Sequence, residues 1–161
     1  MTKDMKDEFW DAMEDVSEGM LGFDGEYLVP MSPKVRDDAK DGKIWFVTAQ
    51  GTDLYKGAIA GAKAGRLVVS DRSEGLWADI QGSIEAVTDK AVLDDVWSAM
   101  AGVWFEDGKD DDDIRLLCFT PHQAEATLSD NNALEFFYKI AKAKISGEAP
   151  EDMGWQGKIT F

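Results

Sequence analysis

Apolar residues near the start of the chain recur at intervals of three and four, the repeat of one face of a helix. They are Met5, Phe9, Met13, Val16 and Met20, with acidic residues between them. This repeat predicts an amphipathic first helix that ends near Gly19.

A β-hairpin is predicted after this helix. Two apolar segments, residues 20–23 and 27–31, flank the dipeptide Asp24-Gly25, which is typical of tight hairpin turns. Pro30 has no amide hydrogen to give to a neighbouring strand, so we expect it at a strand end or at the edge of the sheet.

Three more strands are predicted in the middle of the chain. They cover residues 43–48, after a second turn at Asp41-Gly42, and residues 66–70 and 76–87. In the last of these the apolar side chains alternate, and Gly82 indicates a bend. Between the first two, residues 57–65 carry small side chains between glycines, which predicts a short helix packed closely on the sheet.

The second half of the chain predicts two longer helices and one interrupted strand. The first helix begins at Asp89 and runs to about Trp104, with apolar residues around much of its surface. An acidic loop at residues 106–113 leads to a strand at residues 114–119, which residues 124–128 continue. The chain is predicted to end in a helix capped by Asp130 and a glycine-rich tail, residues 147–161. The order of all these elements predicts an antiparallel barrel with helices outside it.

Length and charge limit the classes of function. With 161 residues, 44% of them apolar, the chain fits one domain, residues 1–161, with a core of its own. The 32 acidic residues against 17 basic ones give a net charge of −15, which disfavours nucleic acids and anionic membranes as partners. Because no segment has the apolar length of a membrane span and the N-terminus is charged, we expect a cytoplasmic protein.

Few residues offer catalytic or metal-binding chemistry. The single cysteine, Cys118, is predicted to be a buried, unreactive thiol, and the single histidine, His122, a surface or hydrogen-bonded residue, with a catalytic base as the alternative. The acidic loop lacks the ligand spacing of an EF-hand, so we interpret it as solvated, with calcium binding as the alternative. Lys56, just before the predicted short helix, is either a phosphate anchor or a solvated charge.

Short motifs then follow one another along nearly the whole chain. They are Phe9-Trp10, Gly19-Met-Leu21, Pro30-Met31, Ile44-Trp-Phe-Val-Thr48, Val69-Ser-Asp71, Ile80-Gln-Gly82, Trp97-Ser98, Trp104-Phe105 followed by Gly108-Lys109-Asp110-Asp111, Leu116-Leu117, Pro121 and Ala124-Glu125. In this order they resemble the pyridoxamine 5'-phosphate oxidase-like FMN-binding split barrels, in particular their bacterial general stress protein branch (the general stress protein 26 type).

The resemblance implies a mainly β (α+β) fold: a six-stranded antiparallel Greek-key split barrel with peripheral helices, forming a homodimer. It also implies FMN at the subunit interface and flavin-dependent redox chemistry, and so an FMN-dependent oxidoreductase as a candidate activity. Thr48 matches a strand-end threonine of the family, and Lys56 a lysine that faces the cofactor phosphate. The positions expected to contact the cofactor are Val29, Pro30, Met31, Val47, Thr48, Lys56 and Gln81.

The sequence departs from the family within this same pocket. Val29 stands where the family usually has arginine, Leu54 where a serine is expected, and Ala126-Thr127 where an aromatic pair is common. Losing one charge-assisted contact to a phosphate costs about 1.5–3 kcal/mol. The alternative hypothesis is therefore a split-barrel dimer that has lost tight flavin binding and acts as a binding or stress-interaction module. No residue stands out as a catalytic acid or base, as expected where a cofactor carries the chemistry.

Overall fold

The structure is a computed structural model that describes residues 4–36, 41–97, 108–129, 138, 141–142, 144–147 and 154–161. Its elements, in chain order, are α1 (Met5–Met13), β1 (Gly19–Phe23), β2 (Val29–Met31), β3 (Ile44–Ala49), α2 (Asp53–Ala58), β4 (Lys63–Asp71), β5 (Leu76–Val87), α3 (Lys90–Val96), β6 (Ile114–Leu128) and β7 (Trp155–Thr160). None of the helices in these ranges has the length and apolar character needed to cross a membrane.

All strand pairs are antiparallel, and six of the strands lie in the order β2-β1-β4-β5-β6-β3. One edge of β6 pairs with β3 over residues 114–119 and with β7 over residues 123–128, while β5 follows its other edge. In the described part of the chain, an isolated bridge between Lys34 and Trp45 brings the segment after β2 to β3, at the far end of the strand order. The antiparallel split barrel that the resemblance implied is confirmed.

The strands place apolar side chains on two sides of β3. Ile44 and Phe46 are fully buried in the main core. Trp45 belongs to a smaller cluster that includes Val92 and Val96 of α3, and Val47 packs against that cluster. Because successive side chains of a strand point to opposite faces, Thr48 follows Ile44 and Phe46 to the side away from α3.

Several predicted elements are confirmed at their turns and caps. Gly25 has a φ of 82° in the β1–β2 turn, and Gly42, with a φ of 66°, follows Asp41 before β3. Asp89 caps α3 by accepting a hydrogen bond from the Val92 amide at 3.2 Å. The bend expected at Gly82 is a register shift between β5 and β6. The two segments predicted on either side of Pro121 form one continuous strand, β6.

The first helix is shorter than predicted. It ends at Met13, and Gly19 and Met20 belong to β1. Val16 is 2% exposed although it lies after the helix. Because Val16 is buried, the apolar repeat continues beyond the last helical residue. For this reason the spacing predicts a helix end that lies too far along the chain.

The prediction of a short helix at residues 57–65 was also wrong in position. The helix, α2, covers Asp53–Ala58, with the hydroxyl of Thr52 capping it by accepting from the Tyr55 amide at 3.3 Å. Residues 63–65 begin β4 instead. Close packing does hold at Gly57, where an added Cβ would lie 2.5 Å from Cε2 of Phe23. Lys56 consequently lies in the last turn of the helix and not before its start.

The end of the chain is a strand where the sequence predicted a glycine-rich tail. Strand β7 pairs with β6, and Ile159 is 4% exposed. The ring of Phe161 lies 5.2 Å from that of Phe9, so the last residue packs on α1. Residues 98–104 of the predicted third helix and most of its final helix fall outside the described residues, although residues 138, 141–142 and 144–146 are helical.

Candidate functional site

A cleft of about 1020 Å³ lies beside the β1–β2 hairpin. Its other walls are the end of β3, the loop that follows, α2 and the first residue of β4. Small-molecule sites commonly enclose about 300–1,000 Å³. The cleft is therefore large enough for a cofactor.

Four of the residues expected to contact a cofactor line this cleft: Val29, Pro30 and Met31 of β2, and Thr48 of β3. The two strands are not neighbours in the sheet, since β2 and β3 lie at opposite ends of the strand order. The partial closure of the barrel brings them together. Leu54, where the family's serine was expected, also lies in the wall.

The other three predicted residues lie outside the cleft that the described residues form. Val47 packs against the cluster beneath α3. Lys56 is exposed on the last turn of α2. Gln81 lies in a separate groove on the polar face of the sheet, where it accepts a hydrogen bond from Gln123 at 2.6 Å. Contact of these three residues with a cofactor stays a prediction.

Two threonine hydroxyls meet at the floor of the cleft. Oγ1 of Thr48 and Oγ1 of Thr52 are 3.1 Å apart. The Thr52 hydroxyl donates to the carbonyl oxygen of Ala49 at 3.0 Å and accepts from the Tyr55 amide. A hydroxyl has one proton, so the proton between the two threonines comes from Thr48. Rotation of the Thr48 hydroxyl would present that proton to a ligand while Thr52 keeps both of its backbone partners.

The loop between β3 and α2 is held by the start of β6, an arrangement that no sequence motif indicated. The Gln50 amide donates to the carbonyl oxygen of Asp113 at 2.9 Å, and the Gln50 side chain donates to the Asp113 carboxylate at 2.5 Å. Arg115 donates to the side-chain oxygen of Gln50 at 3.0 Å and lies over the ring of Tyr55, 5.5 Å from its centroid. These contacts fix the loop that carries Thr52. The pairing of Thr48 with Arg115 in the β3–β6 ladder brings the groups together, and only the fold shows it.

The charge of the cleft is mixed. Among the described residues that line it, Lys63 is the only lysine or arginine, and Glu26 and Asp53 supply carboxylates. The Nζ atom of Lys63 lies 5.3 Å from the ring centroid of Phe23, a cation–π contact. Sequence motifs did not single out Lys63, because it matches none of the family positions. Its place at the cleft depends on where β4 begins.

The cysteine and the histidine lie apart from the cleft. Cys118 is 1% exposed, and burial raises the pKa of its thiol, an effect that nearby Lys43 opposes. The predicted burial of this thiol is confirmed. His122 is exposed on β6, as expected for a surface residue. In the ranges that the structure describes, no three acidic, histidine or cysteine side chains converge on a common point that could hold a metal ion.

A match to a protein-family model shows the family to which the chain belongs. The model of the family described as "Pyridoxamine 5'-phosphate oxidase like" matches residues 4–151. The chain belongs to this family. The resemblance found in the sequence motifs is thereby confirmed.

Similar solved structures of general stress proteins agree with this assignment. A protein from Jannaschia sp. CCS1, described as a general stress protein 26, is 48% identical, with a TM-score of 0.82 and 97% of each chain covered. A general stress family protein from Xanthomonas campestris pv. campestris is 31% identical, with a TM-score of 0.69 over 81% of this chain and 93% of the other. The general stress FMN/FAD binding protein of Xanthomonas citri is 29% identical, with a TM-score of 0.71 and the same two coverages. No protein of curated function matched.

Proposed function

We propose that this protein binds FMN in the cleft beside the β1–β2 hairpin, at an interface between two copies of the chain, and takes part in flavin-dependent redox chemistry. The observation that carries the proposal is the convergence of Val29, Pro30, Met31 and Thr48 on one cleft. The resemblance of the sequence to the family implies the same four residues as cofactor contacts. The Xanthomonas citri relative, described as FMN/FAD binding, supports the choice of ligand.

The residues of the cleft fit the three parts of FMN. The isoalloxazine ring needs an apolar wall, which Val29, Pro30 and Met31 supply together with Phe23 and Leu54. The polar ring edge and the ribityl chain need hydrogen-bonding groups, which the paired threonines offer. The phosphate needs a cation, and Lys63 lines the same space.

Exposed apolar residues at the hairpin support an interface between copies of the chain. Tyr27 is 96% exposed and Val29 40% exposed, and both line the cleft. Apolar side chains exposed together commonly mark a ligand or protein interface. A second copy of the chain against this hairpin would cover both residues and enclose the cleft.

Bound FMN would supply the electron transfer, and the protein would supply binding, orientation and shielding. The apolar wall of β2 would exclude water from one side of the ring. The Thr48 hydroxyl would orient a polar group at the floor, and the contacts of Gln50 with Asp113 would keep the Thr52 loop in place. The pocket needs no catalytic dyad for this role.

A flavin titration tests the proposal. The purified protein is examined for flavin absorbance, and FMN is then titrated while its fluorescence is followed and the mass of the complex is measured by sedimentation. Saturable quenching with the mass of a dimer is expected. A colourless protein that causes no saturable quenching would refute the proposal.

A second function is favoured by the charge of the cleft. One lysine faces two carboxylates there, and Val29 occupies the position where the family usually has arginine. An anionic ligand gains less in such a cleft than in one with two cations. The same fold could therefore act as a dimeric binding or interaction module with weak flavin affinity. Dimer formation without saturable FMN binding in the same experiment would support this second function.

A further inference from the structure

We propose that Lys63, the first residue of β4, is the cation that binds the phosphate of the ligand in the cleft. This assignment rests on the proposed function, because it names the residue that anchors the charged end of FMN. It differs from the expectation drawn from the motifs, in which Lys56 had that role. Both lysines are exposed, but Lys63 lines the cleft, whereas Lys56 lies outside it on the last turn of α2.

The charge of the ligand makes a local cation necessary. A phosphate monoester carries about −1.5 to −2 charges at pH 7. It would enter a protein with a net charge of −15 and a cleft that contains Glu26 and Asp53. In the described lining, Lys63 alone offers the opposite charge.

Lys63 is both anchored and able to respond to a ligand. Its backbone is fixed in the sheet opposite Ile84 of β5. Its ammonium lies over the ring of Phe23, which is 7% exposed and belongs to the core. The four-carbon stem is flexible and its ammonium has three donors, so it can leave the ring for a phosphate without any movement of the strand.

Lys63 offers a cation in a cleft whose residue 29 is valine. Strand β1 pairs with β2 along one edge, where Leu21 faces Val29, and with β4 along the other, where Phe23 faces Gly65. Val29 and Lys63 therefore approach the cleft from opposite sides of β1. Lys63 thus offers a cation on the β4 side of a cleft whose β2 side carries none at residue 29.

Paired titrations with FMN and riboflavin test this assignment, because riboflavin has the same ring and no phosphate. Lys63→Gln is compared with Lys56→Gln, which removes the same charge from an exposed lysine outside the cleft. We expect Lys63→Gln to raise the Kd for FMN about 10- to 100-fold, as for a lost charge-assisted hydrogen bond. Its Kd for riboflavin should not change, and Lys56→Gln should change neither constant. Lys63→Arg, which keeps the charge, should retain FMN binding.

The outcomes separate this assignment from the proposed function. If the unaltered protein binds FMN and Lys63→Gln weakens FMN and riboflavin equally, or weakens neither, the assignment is overturned and flavin binding stands. If Lys56→Gln weakens the binding of FMN but not of riboflavin, Lys56 is the residue that binds the phosphate, and the assignment to Lys63 is also overturned. If the unaltered protein binds neither flavin, the proposed function fails and the assignment fails with it.

Discussion

The replacement of Gly82 by alanine should force apart the neighbouring strands β5 and β6. Gly82 lies at the register shift between β5 and β6, opposite Pro121. A Cβ added there would lie 2.3 Å from the carbonyl oxygen of Thr120 and 2.8 Å from Cζ of Phe119. The ring of Phe119 could shift slightly, but the Thr120 carbonyl is backbone and moves only if the strand moves. At this point β6 also changes its partner from β3 to β7.

The expected cost follows from two opposing effects. Overpacking a well-filled core typically costs about 1–3 kcal/mol. Alanine reduces the entropy of the unfolded chain relative to glycine, which offsets about 0.4–1 kcal/mol. Because the nearest atom is backbone, we expect a cost near the upper end and a net loss of about 2 kcal/mol. For a domain of this size that corresponds to a fall in Tm of about 4–8 °C.

Thermal and urea unfolding, followed by circular dichroism, measure this loss. Gly51→Ala is the matched control, because no atom lies within 4 Å of the Cβ it would add. A surface change of that kind should alter stability by less than about 0.5 kcal/mol. If Gly82→Ala unfolds at the midpoint of the unaltered protein, or if Gly51→Ala loses as much stability, the packing argument at the register shift is wrong.

Three further predictions concern the cleft and the titrating groups. Val29→Arg should lower the Kd for FMN relative to that for riboflavin about tenfold or more in paired fluorescence titrations, since the guanidinium adds one charge-assisted contact to the phosphate while both flavins lose the same apolar contact. Burial raises the pKa of Cys118 above its ordinary value of 9.0, so the contribution of the thiol to stability is complete below that pH and is lost as the pH rises. In urea unfolding, the free energy of unfolding of the unaltered protein should therefore fall more steeply above pH 9 than that of Cys118→Ala. Burial, and then the carboxylates of Asp15 and Asp71, raise the pKa of Glu74 above its ordinary value of 4.5, so the ionised carboxylate destabilises the fold at neutral pH. Glu74→Gln should therefore raise Tm at pH 7, and this gain should disappear as the pH falls below 4.5.

The strands and turns could be predicted because local chemistry determines them. Asp24-Gly25 places a glycine at a φ of 82°, a conformation that other residues rarely adopt. The alternation along β5 matches its burial, with Leu76, Ala78 and Ile80 facing the core. Pro30 is tolerated because it lies in β2, an edge strand in the described sheet. In each case the determining interaction lies within a few residues.

Element boundaries that depend on tertiary contacts could not be predicted in the same way. The spacing of apolar residues predicts a first helix that continues past Met13, because Val16 is buried although it lies after the helix. The composition of residues 147–161 concealed β7, whose formation depends on pairing with β6. Strand β3 pairs with β6 only as far as Phe119, so β7 can pair with the same edge of β6 beyond that point. The local sequence of the tail does not indicate this pairing.

The candidate site shows the same division more sharply. Motifs identified β2 and the end of β3, and both line the cleft. They could not say which of two adjacent residues faces it: Thr48 does, and Val47 points to α3, because the pairing of β3 with β6 sets the face. The position of α2 has a similar effect on charge. Because the helix starts at Asp53 and not at residue 57, Lys56 lies in its last turn and Lys63 is the first residue of β4. Under the proposed function, the position of this short helix therefore decides which lysine we expect to bind the phosphate.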